Sequence, residues 1–286
     1  MTRSPGHGTG ENRIAGYTVL GATGFVGSRL VNMLNSTCGG CYAPSRGDSE
    51  VFRRDLGRVF YCIGLTADYA HVPFATVEAH VTFLSRVLSE ARFERLVYLS
   101  STRLYDDLPP GPCGEDVCLQ FSVTSPRHIY DLSKALGENI CMTASGDRAS
   151  VARLSCVYDH TTGSPGFLSQ LLQRIPIERE FVLDSSSGVV RDYVAINDVV
   201  VALKLILDRG ENQIFNVASG ENVSNQEIVD TLNTHGWHIS LSRLSEREDQ
   251  VVCDISKLKA LGVEPSLVRD NMDSFIRNLR GFHAPC

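Results

Sequence analysis

The chain has 286 residues, of which 43% are apolar and 21% charged, and carries a formal net charge of −6. This is enough apolar material to bury a core and too little charge for disorder, and the length suits an α/β unit with one appended lobe. The acidic balance argues against nucleic acid as a partner, because phosphate-backbone affinity comes from clustered Lys and Arg. A membrane is likewise not expected, since no apolar run approaches the ~20 residues of a span.

Residues 1–16 are Gly-rich and polar and lack the apolar stretch of a secretory signal. They read as a flexible leader on a cytoplasmic protein. Nine scattered cysteines do not form the dense framework of a small secreted domain and are expected as reduced, mostly buried thiols. Tyr17 to Leu20 is a short strand broken at Gly21, and Phe25, Val26, Leu30, Met33 and Leu34 then fall on one helical stripe. A second short strand is expected at Cys41 to Ala43 and a buried one at Val59 to Ile63. Helical spacing over Val72 to Glu90 leads to an apolar strand at Arg95 to Ser100, and Leu108 to Gly114 reads as a surface loop. A helix follows Pro126; Ser150 to Ser155 is a strand, and Phe167 to Ile175 a helix.

Asn197 to Asp208 reads as a helix capped by Asn197, and Gln213 to Val217 as a strand. A helix from Ser224, a strand at Trp237 to Leu241 and helices at Ser256 to Leu261 and Pro265 to Leu279 complete the chain. Connections this long join parallel strands through crossover helices. The expected fold class is therefore α/β, a doubly wound parallel sheet with a small C-terminal lobe. The sheet part is assigned to 17–156 and 188–217, and the substrate-binding lobe to 157–187 and 218–286.

Gly21-Ala-Thr23-Gly24-Phe25-Val26-Gly27 lies directly between a strand and a helix. In that context glycines give a tight turn and a close backbone approach to pyrophosphate, and the helix N-terminus supplies unpaired N–H groups. Gly21, Thr23, Gly24, Phe25, Val26 and Gly27 are thus cofactor-binding candidates on a Rossmann-type sheet. Roughly 20 residues on, where a carboxylate selects NAD(H) and a cation accommodates NADP(H), the chain reads Ser45-Arg46, with Asp48 the first carboxylate. NADP(H) is favoured over NAD(H), with selection by Asp48 as the alternative.

Tyr130 and Lys134 stand at i and i+4, adjacent on a helical face. A nearby cation lowers the proton affinity of a phenol, which can then exchange a proton with an alcohol or carbonyl oxygen. Ser100, Ser101 and Thr102 end an apolar strand, where ligands of open α/β sheets bind. Together, and in this order, the three motifs resemble the extended short-chain dehydrogenases/reductases that act on nucleotide sugars.

The resemblance implies Ser101 as the substrate-orienting hydroxyl, Tyr130 as acid/base, and Lys134 as its activator and a ribose contact. Thr102 joins Ser101 as a substrate contact. Arg191, in Arg191-Asp-Tyr-Val194 followed by Asn197-Asp-Val199, matches the arginine that meets the substrate diphosphate; an internal ion pair with Asp192 or Asp198 is the alternative. The resemblance further implies a homodimer through Val72 to Glu90 and Pro126 to Ala144.

Several departures narrow the expectation. Dehydratases of this kind carry an Asp-Glu pair after the catalytic hydroxyl, and this chain has Thr102-Arg103, so dehydration lacks its acid/base pair. Cys156 replaces an expected Asn, and only 31 residues separate Gly27 from Val59, too few for the usual set of elements; Asp55-Leu56 is a doubtful match to the adenine-contacting pair. Cys38, Cys41, Cys113 and Cys118 are not expected to converge on a metal. His71, His80 and His128 are expected to be polar helix or loop residues, with His128 the nearest to Tyr130 in sequence. The favoured activity is NADP(H)-dependent reduction of a keto group on a nucleotide-activated sugar. Nucleotide-sugar epimerisation with retained NAD is the near rival, and a non-catalytic NADPH-sensing regulator is the rival from another class.

Overall fold

The structure, a computed structural model, describes residues 16–66 and 69–281; the expected leader lies outside them, Gly16 apart. Five strands, β1 (Tyr17–Leu20), β2 (Arg58–Tyr61), β3 (Arg95–Ser101), β5 (Ala149–Leu154) and β9 (Ile214–Val217), pair in parallel in that order. Their near-continuous apolar runs are those of strands covered on both faces. Alternation sends Val19, Phe60 and Val97 to one side, where helices α1 (Phe25–Thr37) and α6 (Ile196–Arg209) contribute Leu30, Leu34, Leu203 and Ile206. Leu20, Val59, Tyr61 and Tyr98 face the other side, against Leu84 and Val87 of α3 (Phe83–Glu90) and Cys141 of α4 (His128–Ala144).

After α1 the chain returns to the sheet only at Tyr42, bridged to Thr18, and then crosses β1 to form β2. The strand expected at Cys41 to Ala43 is thus a single bridged residue, held by Val19 N–H to the Tyr42 carbonyl (2.8 Å) and Tyr42 N–H to the Tyr17 carbonyl (2.9 Å). Pro44 follows and cannot donate to a ladder. The reversal of strand order beside β1 makes the crevice at the carboxyl ends of β1 and β2 the switch point where ligands of such sheets bind. Asp55-Leu56 precedes β2, at the opposite end. Asp55 accepts from Gly57 N–H at 2.9 Å and Leu56 is fully buried, so this pair is no adenine contact.

Helix α2 (Pro73–Val77) runs into α3 through a π-turn at Glu78–Thr82. The segment expected as a surface loop after Leu108 instead supplies β4 (Gly111–Cys113), which pairs in parallel with β12 (Val251–Cys253) and buries Cys113. Helix α6 begins one residue before Asn197. Its N-cap is Ala195, whose methyl side chain can accept no cap bond, and the Asp198 carboxylate in its first turn accepts from Ser266 N–H of the C-terminal lobe at 2.8 Å.

A separate apolar cluster forms that lobe. It gathers α5 (Phe167–Arg174), α7 (Asn225–Thr234) and α9 (Val268–Gly281) around Trp237, with Tyr158 of β6 (Cys156–Tyr158) and Tyr193 of β8 (Val190–Ala195). The expected helix start at Ser224 carries a full capping box with Glu227. Strands β7 (Glu180–Ser186) and β11 (His238–Arg243) pair in parallel, and β10 (Asn222–Ser224) pairs antiparallel to β8. Short helix α8 (Ser256–Ala260) packs beside β9.

Candidate active site

Gly21, Gly24 and Gly27 occupy the turn from β1 into α1, and two of them admit no side chain. Gly21 has φ +86°, and a Cβ there would stand 2.9 Å from the Cys62 carbonyl carbon; a Cβ on Gly27 would stand 2.2 Å from the Gly21 carbonyl oxygen. Gly24 is the N-cap of α1, with no side-chain cap and no acidic residue in the first turn. Thr23 and Gly24 are exposed, and Phe25 and Val26 half-buried. The helix end is therefore bare, accessible and electropositive, which suits a pyrophosphate. This cradle fits the dinucleotide that the sequence implies.

At the carboxyl end of β3 the chain turns into a short 3₁₀ turn, Thr102–Tyr105, whose N-cap Ser101 accepts from Arg103 N–H at 3.2 Å. The Ser101 hydroxyl faces the Tyr130 phenol and lowers its pKa. Burial outweighs that effect and leaves Tyr130 above the ordinary value. Lys134 lies one turn along α4, fully packed, and donates to the Leu99 carbonyl at 2.7 Å. Desolvation pulls its pKa down to about 7, with the Glu138 carboxylate opposing the shift. The structure thus brings Ser101, Tyr130 and Lys134 together, with the Lys134 ammonium turned toward the Tyr98 ring, 4.8 Å from its centroid.

Three neighbours of this group were not assigned to the site from sequence. His80, set aside as a polar helix residue, is buried at the π-turn. Its Nδ1 pairs with the Ser133 hydroxyl at 2.8 Å, its Nε2 accepts from Leu65 N–H at 3.1 Å, and its ring meets Tyr130 edge-on with centroids 5.3 Å apart. Burial, aided by the Lys134 charge, pulls its pKa down to about 2, so it stays neutral. Gly64 lets the end of β2 approach: a Cβ there would be 3.3 Å from both His80 Nε2 and Lys134 Nζ. The Arg103 guanidinium lies 4.8 Å from the Tyr130 ring centroid and 5.0 Å from that of Tyr69, and donates to the Tyr69 hydroxyl at 2.8 Å. A Gly directly after an apolar strand was a legible signal; His80 and Arg103 depend on tertiary packing.

The remaining candidates are more dispersed. Arg46 is exposed and makes no ion pair among the described residues, whereas Asp48 accepts from Tyr42 hydroxyl and Glu50 N–H, each at 2.9 Å. Ser45 precedes Arg46 in the same loop and is exposed as well. Thr102 donates to the Leu154 carbonyl at 3.4 Å. Arg191 bonds the Val190 carbonyl at 2.8 Å and forms neither alternative ion pair, since Asp192 accepts from Ser219 and Gly220 N–H at 2.8 Å each. Cys156 is exposed on β6, within electrostatic reach of Arg191 and Arg103.

His128 anchors a loop: its Nδ1 accepts from Ser122 N–H at 2.7 Å, and its Nε2 lies 2.8 Å from Asp107. His71 is exposed. All eight described cysteines are free thiols. Only Cys113, Cys141 and Cys253 are buried, fewer than expected. Among the described residues no three His, Cys, Asp or Glu side chains are grouped to hold a metal, and no helix is long and apolar enough to cross a membrane.

A parallel doubly wound sheet with a glycine cradle at its switch point and a Ser, Tyr and Lys cluster at the adjacent strand end defines a Rossmann-type dehydrogenase frame. Residues 17–218 match the NAD dependent epimerase/dehydratase family, and the chain belongs to it. Over 222 residues, 71% of this chain and 67% of the relative, it is 28% identical to the dTDP-4-dehydro-6-deoxyglucose reductase of Escherichia coli. The UDP-glucose 4-epimerase of Thermotoga maritima, solved with UDP-glucose, shares the fold with TM-score 0.74 at 19% identity, over 94% of this chain and 99% of that one. MoeE5 in complex with UDP-glucose and NAD gives TM-score 0.72 at 21% identity, over 94% and 99%.

Proposed function

We propose that this protein is an NADP(H)-dependent oxidoreductase that reduces a keto group on a nucleotide-activated sugar. The observation that carries the reading is the bare glycine cradle at the start of α1 together with Tyr130 and Lys134 on α4, which Lys134 ties to the carboxyl end of β3 through the Leu99 carbonyl. The nicotinamide, when bound, supplies the hydride. Ser101 holds the substrate oxygen, Tyr130 delivers a proton to that oxygen, and Lys134 is placed to hold the cofactor ribose. Gly21, Thr23, Gly24, Phe25, Val26 and Gly27 seat the pyrophosphate. Arg46, with Ser45 beside it, takes the 2′-phosphate, because Asp48 is already committed to Tyr42 and Glu50. Thr102 and Arg191 face the sugar and its diphosphate, Arg191 being free of a carboxylate partner among the described residues.

Residues 17–156 and 188–217 form the cofactor part and 157–187 with 218–286 the substrate lobe of a cytoplasmic enzyme. A homodimer is supported by Phe74 (90% exposed) and Leu136 (49% exposed), apolar residues on α2 and α4 that a second copy would cover.

Epimerisation with retained NAD is the second reading, favoured by the likeness in fold to UDP-glucose 4-epimerase over nearly the whole chain. Tyr130→Phe is expected to bind NADP⁺ as the wild type does and to lose about 10²–10⁴-fold in turnover; unchanged turnover would remove Tyr130 from the chemistry. Stoichiometric oxidised cofactor in the purified protein, with activity needing none added, would decide for epimerisation.

A further inference from the structure

Proton transfer through Tyr130 requires a positive charge that makes its phenolate affordable, and the Tyr-x-x-x-Lys spacing assigns that task to Lys134. The packing distributes the charges differently. On α4 itself, Lys134 spends its ammonium on the Leu99 carbonyl and the Tyr98 ring, while Asp131, the next residue to Tyr130, works against a phenolate. From the π-turn comes His80, which is neutral; from β3 come the Ser101 hydroxyl and the Tyr98 phenol, held uncharged by burial; from the segment before α2 comes the Tyr69 ring, 5.1 Å from that of Tyr130.

Arg103, in the 3₁₀ turn after β3, is the cation that packs on the Tyr130 ring itself, and the nearby Asp106 carboxylate is paired with Arg127. Its guanidinium lies 4.8 Å from the Tyr130 ring centroid, is fixed by a 2.8 Å hydrogen bond to the Tyr69 hydroxyl, and forms no ion pair among the described residues. A guanidinium stays charged throughout the working pH range, whereas a buried ammonium loses its proton readily.

We propose that Arg103 is a positioning residue: packed against both the Tyr69 and the Tyr130 ring, it is the cation that stabilises the Tyr130 phenolate, leaving Lys134 to the cofactor ribose. The inference rests on Tyr130 being the acid/base of the proposed reaction. In that step the Tyr130 O–H bond breaks, an O–H bond forms on the substrate oxygen as the carbon receives hydride from the reduced nicotinamide, and Tyr130 regains its proton from solvent.

The test needs no substrate. Protein labelled with ¹³Cζ-tyrosine is titrated by NMR, with the Tyr130 resonance assigned through Tyr130→Phe. In Arg103→Met the Tyr130 midpoint is expected to rise by about one pH unit or more, in Arg103→Lys to stay closer to wild type, and in Lys134→Met to move less than in Arg103→Met. Tyr69→Phe, which frees the guanidinium without removing it, should move the midpoint in the same direction by less, and serves if Arg103→Met does not fold. A Tyr130 midpoint unmoved by Arg103→Met and Tyr69→Phe, or moved more by Lys134→Met, overturns the proposal. Failure of the wider reading shows separately, as turnover that survives Tyr130→Phe.

Discussion

The strongest structural prediction concerns the buried pair beneath the site, Glu138 with Arg153. Both side chains are at most 5% exposed, and the contact is bidentate: Arg153 Nε to Glu138 Oε1 at 2.9 Å and Nη2 to Oε2 at 2.6 Å. Arg153 Nη1 also donates to the Tyr105 hydroxyl at 2.8 Å and the Glu115 carbonyl at 3.0 Å, and Tyr105 passes the chain on to Asn216 Oδ1 at 2.7 Å. One network therefore joins α4, β5, β9 and the segments after β3 and β4. Glu138→Gln preserves shape but strands the guanidinium without a counter-charge and turns an amide NH₂ toward its donors. Breaking such a pair costs about 3–5 kcal/mol, which for a protein of this size is roughly five to eight degrees in Tm. Urea and thermal unfolding followed by circular dichroism measure it. Because paired replacement removes both desolvation penalties, Glu138→Leu with Arg153→Met should cost less than the sum of the singles. A Glu138→Gln loss below about 1 kcal/mol, or strict additivity in the double variant, would refute the argument that the charge, and not the packing, sets the penalty.

Three further outcomes are expected. His80 has a folded pKa of about 2 against an ordinary 6.5, so below pH 6.5 the unfolded chain binds the extra proton. Its contribution is whole above that pH and falls by about 1.4 kcal/mol per unit as pH drops toward 2; urea titrations at pH 7 and 5 should show a smaller difference in His80→Gln than in wild type. Gly27→Ala places a methyl group 2.2 Å from the Gly21 carbonyl oxygen, and calorimetry should show dinucleotide binding lost with the turn. Arg46→Ala should weaken NADP⁺ binding by about tenfold or more while leaving NAD⁺ binding within about twofold; equal weakening of both would show that Arg46 does not read the 2′-phosphate.

The parallel sheet was legible because each of its strands is a short apolar run closed by a glycine or hydroxyl, and because the helices between them keep a buried stripe such as Leu30 and Leu34. The glycine turn and the Tyr130 and Lys134 pair followed from spacing, since a turn and one helical face are local geometry, whereas Ser101 came from the resemblance to the family. Where distant segments set the outcome, the sequence reading went astray. Gly111 to Cys113 look like loop until Val251 to Cys253 arrive to pair with them. His80 and Arg103 carry no local mark of their position, because one is placed by a π-turn and the other by two aromatic rings from separate segments.

The single bridge at Tyr42 also bears on solubility. A sheet that loses an outer strand ordinarily exposes a row of free N–H and C=O groups, and a long flat edge of that kind templates pairing between molecules. Here the border is one paired residue long, is followed by the donorless Pro44, and has the Arg54 guanidinium laid over the Tyr42 ring at 4.0 Å. A charge and a proline stand where another chain would have to add its strand, so the shortened cofactor side ends in a border that resists edge-to-edge aggregation.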